Sequence, residues 1–163
     1  MNFNSPESFL EKLNNWFNGF IALPLLAVGY GYLEIFSGGL VGLYPIDIYV
    51  TLAIIALLLI SAVYITYSYK LLIRGIGSDD SLALRIATYF DVSKLFFLRI
   101  FIIAMLAVIG LYITGSIAYA GFYAFLLFLL SIYRPSLLTV ANKLGLKGEE
   151  RSEFLKNRFT IIN

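Results

Sequence analysis

Glu34 is the residue whose type and position most clearly suggest chemistry, because it is the only acid inside a long apolar run of this sequence. A carboxylate deep in a bilayer costs about 2.5–3.5 kcal/mol on insertion scales, so such an acid often marks a path for protons or cations. Counted from Phe17 at about 1.5 Å per residue, Glu34 lies about 26 Å along a helix, near the far end of a core about 30 Å thick. Two interpretations stay open: a functional or complex-forming carboxylate, or a near-surface acid bonded to tyrosines or loop amides.

An acid in the first helix is also a feature of four-helix multidrug exporters of the small type, and the chain resembles them in that placement alone. The resemblance implies a small transporter or ion-conducting protein that works as an oligomer and uses Glu34. The chain is longer than those exporters and has predicted cytosolic segments that they lack.

Several kinds of catalytic and cofactor chemistry are excluded by composition, because the sequence has no cysteine and no histidine. Thiol and imidazole catalysis, histidine-ligated haem and zinc sites of the usual Cys/His kind are therefore absent. Asp79 and Asp80 could belong to a metal-dependent lipid enzyme, but adjacent acids project to different sides of a helix, and helix capping explains them better. We predict no catalytic residue, no metal and no cofactor, and a protein that is more plausibly not an enzyme.

Two sets of small residues are spaced so that helices can approach one another closely. They are Ala27, Gly29 and Gly31 in the first apolar run, and Ser116, Ala120 and Ala124 in the last. Such faces pack membrane helices together. Within this chain they would stabilise its own bundle; otherwise they would contact a partner subunit.

The basic residues are segregated along the chain. All 12 Lys and Arg residues lie in the N-terminal segment, in residues 70–99 or in the C-terminal tail, and none lies in residues 37–47 or 114–116. The positive-inside rule then places both termini and the 70–94 connector in the cytoplasm. We expect Lys70, Arg74, Arg99 and Arg134 to contact anionic lipid headgroups in general. The more specific alternative is that they bind a phosphate-headed lipid or substrate at the inner leaflet. The net charge of +2 is too small to suggest nucleic acid.

The elements that position these residues are predicted to be helices throughout. The sequence is 60% hydrophobic and 13% charged, with a mean hydropathy of +0.86, far from the composition of a soluble domain. We predict an all-α integral membrane bundle in one domain, residues 1–163. It begins with an amphipathic segment (1–16), continues through four spans (about 17–36, 48–69, 95–113 and 116–133), and ends in a cytosolic tail (134–163).

Local signals refine this arrangement. Pro24 should kink the first helix. Residues 1–16 could either lie in the membrane interface or form the water-exposed end of that helix. Residues 81–90 should form a short amphipathic helix that ends before a new cap at Asp91, and residues 114–116 should form a tight turn. Ser136 should cap a short helix that ends near Gly145. Most tyrosines suit an interfacial belt, whereas Tyr123 lies deeper and needs a hydrogen-bond partner.

The function that these features favour is a non-catalytic integral membrane subunit, scaffold or assembly factor of a larger inner-membrane complex. Its partners would be the lipid bilayer and other membrane-protein subunits. Phe154, Leu155, Leu137 and Leu138 could dock in grooves of cytosolic partners. The transporter that uses Glu34 is the alternative. Since no basic residue lies on its side of the membrane, Glu34 would take any salt-bridge partner from another subunit.

Overall fold

The computed structural model describes residues 6–40, 42, 44, 46–76 and 81–156, and these residues form six α-helices. The helices are α1 (Pro6–Phe36), α2 (Ile48–Arg74), α3 (Leu82–Thr114), α4 (Ala118–Ile132), α5 (Leu137–Lys143) and α6 (Gly148–Leu155). The prediction of an all-α protein is confirmed.

Three of the helices are long and apolar enough to cross a membrane: Glu7–Phe36, Ile48–Arg74 and Leu82–Thr114. The 15 residues of α4 reach only about 22 Å, short of a hydrocarbon core about 30 Å thick. α4 counts as a fourth candidate span only together with α5, from which it is separated by a bend of 75°. Three or four apolar helices of this kind make the chain a multi-pass membrane protein.

The first helix differs from the predicted arrangement. Residues 6–16 do not form a separate interfacial segment, because α1 continues from Pro6 to Phe36, with Pro24 inside it. Its first turns also bury the apolar residues that an interfacial helix would give to lipid: Phe9 and Leu13 have no exposed surface. Residues 6–16 are therefore continuous with the first candidate span.

The third helix also continues where a break was predicted. Asp91 does not cap a new helix, since residues 82–114 form one helix of 33 residues. The buried positions Leu82, Ile86, Tyr89, Ser93 and Phe96 follow one another at spacings of three or four across Asp91, which points outward. These buried residues therefore lie on one face of a single continuous helix. A break at Asp91 would lose backbone hydrogen bonds without improving the burial of any of them. Asp79 and Asp80, for which helix capping was predicted, lie outside the described residues.

The described chain falls into two compact units, the first of which draws on Met1–Asn18, Tyr67–Phe97 and Arg134–Asn163. Its core is rich in aromatic rings: Phe9 contacts Tyr89 and Phe90 with ring centroids 6.2 and 6.0 Å apart, and Tyr69 stacks on Phe96 at 4.4 Å. The tail helices α5 and α6 belong to this unit and bury Val140, Ala141 and Phe154 completely.

The second unit comprises Gly19–Thr66 and Leu98–Tyr133. Its core is aliphatic and aromatic without charge, and is formed by Val28 of α1, by Leu58 and Ala62 of α2, by a stripe of α3 and by one face of α4. The α3 and α4 residues are Ile103, Ala104, Ala107, Val108, Leu111, Tyr119, Phe122, Tyr123 and Leu126. This unit contains Glu34 and both predicted sets of small residues.

The two connections without basic residues meet at one end of the second unit. The turn after α3 is confirmed, with Gly115 at φ +65, and the Tyr44 amide donates to the Ile113 carbonyl at 3.2 Å. A Cβ at Gly42 would overlap the Thr114 carbonyl, so only glycine permits this approach. Gly42 and Tyr44, between α1 and α2, are thereby held against the turn that joins α3 to α4.

Candidate functional site

Glu34 lies two residues before the end of α1, and its main chain helps to end the helix. The Glu34 carbonyl accepts hydrogen bonds from the Gly39 and Leu40 amides at 2.9 and 3.0 Å and from the Ser37 hydroxyl at 3.1 Å. Gly38 follows with φ +77, the left-handed conformation that commonly closes a helix. The backbone around Glu34 is therefore fixed by its own C-cap.

The Glu34 side chain is half-buried and folds back over the same cap. A Cβ at Gly39 would overlap Glu34 Oε2, so this glycine makes room for the carboxylate. The Tyr30 hydroxyl, one turn earlier on α1, is close enough to the carboxylate to interact with it. Glu34 thus lies at the end of α1, beside Tyr30 and Gly39.

Three of the six predicted small residues pack inside this chain. A Cβ at Gly31 would lie 2.9 Å from Leu111 Cδ2 and 3.1 Å from two ring atoms of Tyr112, so α1 and α3 approach closely there. Ala27 and Ala120 are half-buried against the core of the second unit. These residues stabilise the chain's own helices, as in the first of the predicted alternatives.

The other three have different surroundings. Gly29 is exposed with nothing within 4 Å of its Cβ position, and Ala124 is exposed on α4. Ser116 is half-buried in the turn before α4, where its amide donates to the Thr114 hydroxyl at 3.1 Å. The structure thus separates the small residues into an inner group and two outward-facing positions, Gly29 and Ala124.

Two tyrosines tie α1 to its neighbours through main-chain carbonyls. The Tyr123 hydroxyl donates to the Ile21 carbonyl at 2.9 Å, which supplies the partner that its depth requires. Residue 24 is proline and has no amide hydrogen, so the Phe20 carbonyl lacks its usual helical donor. The carbonyl that Tyr123 binds, that of Ile21, is the next one along the helix. Tyr112 donates to the Ala27 carbonyl at 2.9 Å.

Two tyrosines near the turn between α3 and α4 are packed in the second unit, although most tyrosines of the chain were predicted to suit an interfacial belt. Tyr112 is half-buried beside Gly31, and Tyr119 is only 1% exposed. A tyrosine near a helix end suits either a lipid interface or a tertiary contact, and sequence spacing does not distinguish the two. Glycines were the feature of the sequence that could have indicated the tertiary contacts, because Gly31 leaves room for the Tyr112 ring and Gly110 for the Tyr119 ring.

The four residues predicted to contact lipid headgroups are all exposed: Lys70, Arg74, Arg99 and Arg134. Arg85 differs, because it is 5% exposed and cannot serve as a headgroup ligand. Lys94 lies 4.4 Å above the centroid of the Trp16 ring and is half-buried.

A buried polar cluster in the first unit holds the tail helices, and sequence reasoning did not predict it. Arg85 donates to the Leu144 carbonyl and lies 3.8 Å from the Glu150 carboxylate. Lys143 donates to the Tyr69 hydroxyl at 3.1 Å and lies 4.9 Å from the centroid of that ring. The cluster attaches α5 and its C-cap through hydrogen bonds of Lys143 and Arg85 and contacts α6 through the ion pair of Arg85 with Glu150.

No group of three or more potential metal ligands occurs among the described residues. Comparison with protein-family models, with curated proteins and with solved structures gave no match. The candidate site is therefore defined by its own geometry: the Glu34 cap and the outward-facing small residues of α1 and α4.

Proposed function

We propose that this protein is a non-catalytic subunit, scaffold or assembly factor of a larger complex in the cytoplasmic (inner) membrane, with four spans and both termini in the cytoplasm. The observation that carries the proposal is the outward face of α1. Of the most apolar window of α1, 17% is buried within this chain, as in α2, compared with 44% for α3. Most of a membrane-spanning surface is thus left for lipid or for other helices.

The composition of that face favours helices over lipid alone. Gly19, Ala22, Leu26, Gly29 and Leu33 follow one another at spacings of three and four, and all are exposed. Nothing lies within 4 Å of a Cβ at Gly19 or Gly29. In a membrane, small residues on such a face allow a second helix to approach closely and gain van der Waals contact. On α4, Gly121 and Ala124 offer a second face of the same kind.

The topology of the proposal is supported by charge. Both connections that lack Lys and Arg, residues 37–47 and 114–116, meet at one end of the second unit. The positive-inside rule assigns connections without basic residues to the outside. The exposed Lys70, Arg74 and Arg134 flank the ends of the apolar helices and suit anionic headgroups on the inside.

The tail contributes less to docking than its sequence suggested. Phe154, proposed as an anchor for cytosolic partners, has no exposed surface because it packs within the first unit. Leu138 is 54% exposed and remains the candidate contact on α5. The proposal therefore relies on the membrane faces of α1 and α4 rather than on the tail.

The alternative of a small transporter is less well supported. Glu34 lies at the end of α1 beside Tyr30 and Gly39, rather than near the middle of the helix. If the protein conducts ions or drugs through Glu34, the exchange Glu34→Gln in reconstituted vesicles will abolish the flux. Unchanged flux in that variant rules this alternative out.

The proposal is tested by co-purification in a mild detergent at native expression level. We expect a defined set of membrane proteins with the wild type, and a reduction of about tenfold with Gly29→Leu, which corresponds to about 1.4 kcal/mol. The matched control is Ala53→Leu, which adds similar bulk at an exposed position of α2. A lone monodisperse species would overturn the proposal, and equal losses in both variants would show that the α1 face is not the contact.

A further inference from the structure

The second unit contains a cavity of about 240 Å³ that the proposed function does not use. Its walls include Ile54 and Leu58 of α2, Leu106, Ile109 and Gly110 of α3, and Tyr119 of α4. Apart from Tyr119 and Thr114, the residues around it have no polar side-chain atoms. An aliphatic group is the chemistry that fits such a lining.

The cavity opens on the surface that faces the membrane. Ile54, Leu106 and Ile109 are 37%, 48% and 49% exposed, and they lie on helices that are candidate spans. Lipid chains are the molecules that surround these side chains in a bilayer. A chain can therefore enter from the side without crossing water.

Tyr119 supplies a polar group at this site. Its side chain is 1% exposed and its ring packs against Gly110, where a Cβ would lie 2.6 Å from Tyr119 Cζ. Within the described part of the chain, no hydrogen bond to the Tyr119 hydroxyl is present. The hydroxyl is not fully enclosed by this chain, so an acceptor on a molecule in the cavity would give it a hydrogen bond. Since Tyr119 lies in the first turn of α4, that acceptor would be near the end of the helix.

We propose that the cavity binds the acyl chain of a phospholipid, with the Tyr119 hydroxyl donating to an ester carbonyl of the same lipid. The nearby connections carry no Lys or Arg, and Asp47 adds a carboxylate. An anionic headgroup gains nothing from these charges, so the lipid is zwitterionic. This site contributes a bound lipid to the protein whether or not the α1 face docks a partner.

The test uses the full chain, exchanged in mixed micelles with equal amounts of phosphatidylethanolamine and phosphatidylglycerol, with retained lipid counted by native mass spectrometry. We expect one phosphatidylethanolamine to be retained. Ile109→Trp, which fills the mouth of the cavity, should reduce retention at least tenfold. Ile102→Trp is the matched control: it lies seven residues earlier on α3, is 51% exposed and does not line the cavity. Tyr119→Phe should weaken retention about threefold, as expected for the loss of one hydrogen bond.

A second measurement identifies the contact in the wild-type protein and does not depend on any variant. Phosphatidylethanolamine with a diazirine in its acyl chain should label Leu106, Ile109 or Ile54 above the labelling of other exposed apolar residues. Equal retention by all variants together with uniform labelling would overturn the proposal. Detergent alone in the cavity, or a preference for phosphatidylglycerol, would also contradict it.

Discussion

The exchange of Gly31 for alanine tests the central packing contact between α1 and α3. The added Cβ would lie 2.9 Å from Leu111 Cδ2 and 3.1 Å from the Tyr112 ring. Leu111 has no exposed surface and cannot move aside freely. Overpacking of this kind costs about 1–3 kcal/mol, and a shift of Tyr112 would also lengthen its 2.9 Å bond to the Ala27 carbonyl.

The same exchange at Gly29 provides the matched control. No atom lies within 4 Å of a Cβ at Gly29, so Gly29→Ala keeps only the gain in helix propensity, about 1 kcal/mol. Because Gly31→Ala receives the same gain, the propensity contribution cancels in the comparison. The free energy of unfolding of Gly31→Ala should therefore be about 1–3 kcal/mol below that of Gly29→Ala.

The assay is reversible unfolding in mixed micelles with increasing sodium dodecyl sulfate, followed by far-ultraviolet circular dichroism. A difference of about 1.4 kcal/mol is a tenfold change in the unfolding equilibrium constant, well within the resolution of such titrations. Equal midpoints for the two variants, or a more stable Gly31→Ala, would refute the close approach of α1 and α3 at this position.

Two further exchanges test hydrogen bonds. Tyr123→Phe removes the donor to the Ile21 carbonyl and should lower the free energy of unfolding by about 0.6–1.5 kcal/mol in the same titration, whereas Tyr64→Phe, at a residue 68% exposed on α2, should leave it unchanged. Ser136→Ala removes the cap of α5, worth about 0.5–2 kcal/mol, and should speed hydrogen exchange of the α5 amides. Ser152→Ala, which removes a hydroxyl bonded within α6, should leave α5 protection as it is, and an equal response to both serine exchanges would contradict the capping role.

Local chemistry predicted much of the helix geometry. The Gly115 turn and the Ser136 cap depend on a few adjacent residues, and both are present in the structure. Asp91 shows where reasoning from adjacent residues fails. An acid of this kind can cap a new helix, but it is equally stable on the exposed face of a continuous helix, and Asp91 occupies such a face of α3. The apolar stripe through α3 was the better signal, because it extends over several turns.

The tertiary positions of several side chains could not be predicted from local sequence. A helix that is apolar all around gives no indication of which face turns inward, so Gly29 and Gly31 look equivalent although only Gly31 is packed. Arg85 looks like a surface charge until its partners on the tail, Leu144 and Glu150, are known. These contacts join residues about 60 positions apart, and a single sequence carries little information at that range.

The division of the chain between the two units has a consequence for synthesis. The first unit needs residues from both ends of the chain, whereas every segment of the second lies between Gly19 and Tyr133. The parts of the second unit are therefore complete while α5 and α6 are still being translated. Until then the guanidinium of Arg85 lacks Leu144 and Glu150, its partners in the finished protein, and truncation before Arg134 would leave this state permanent.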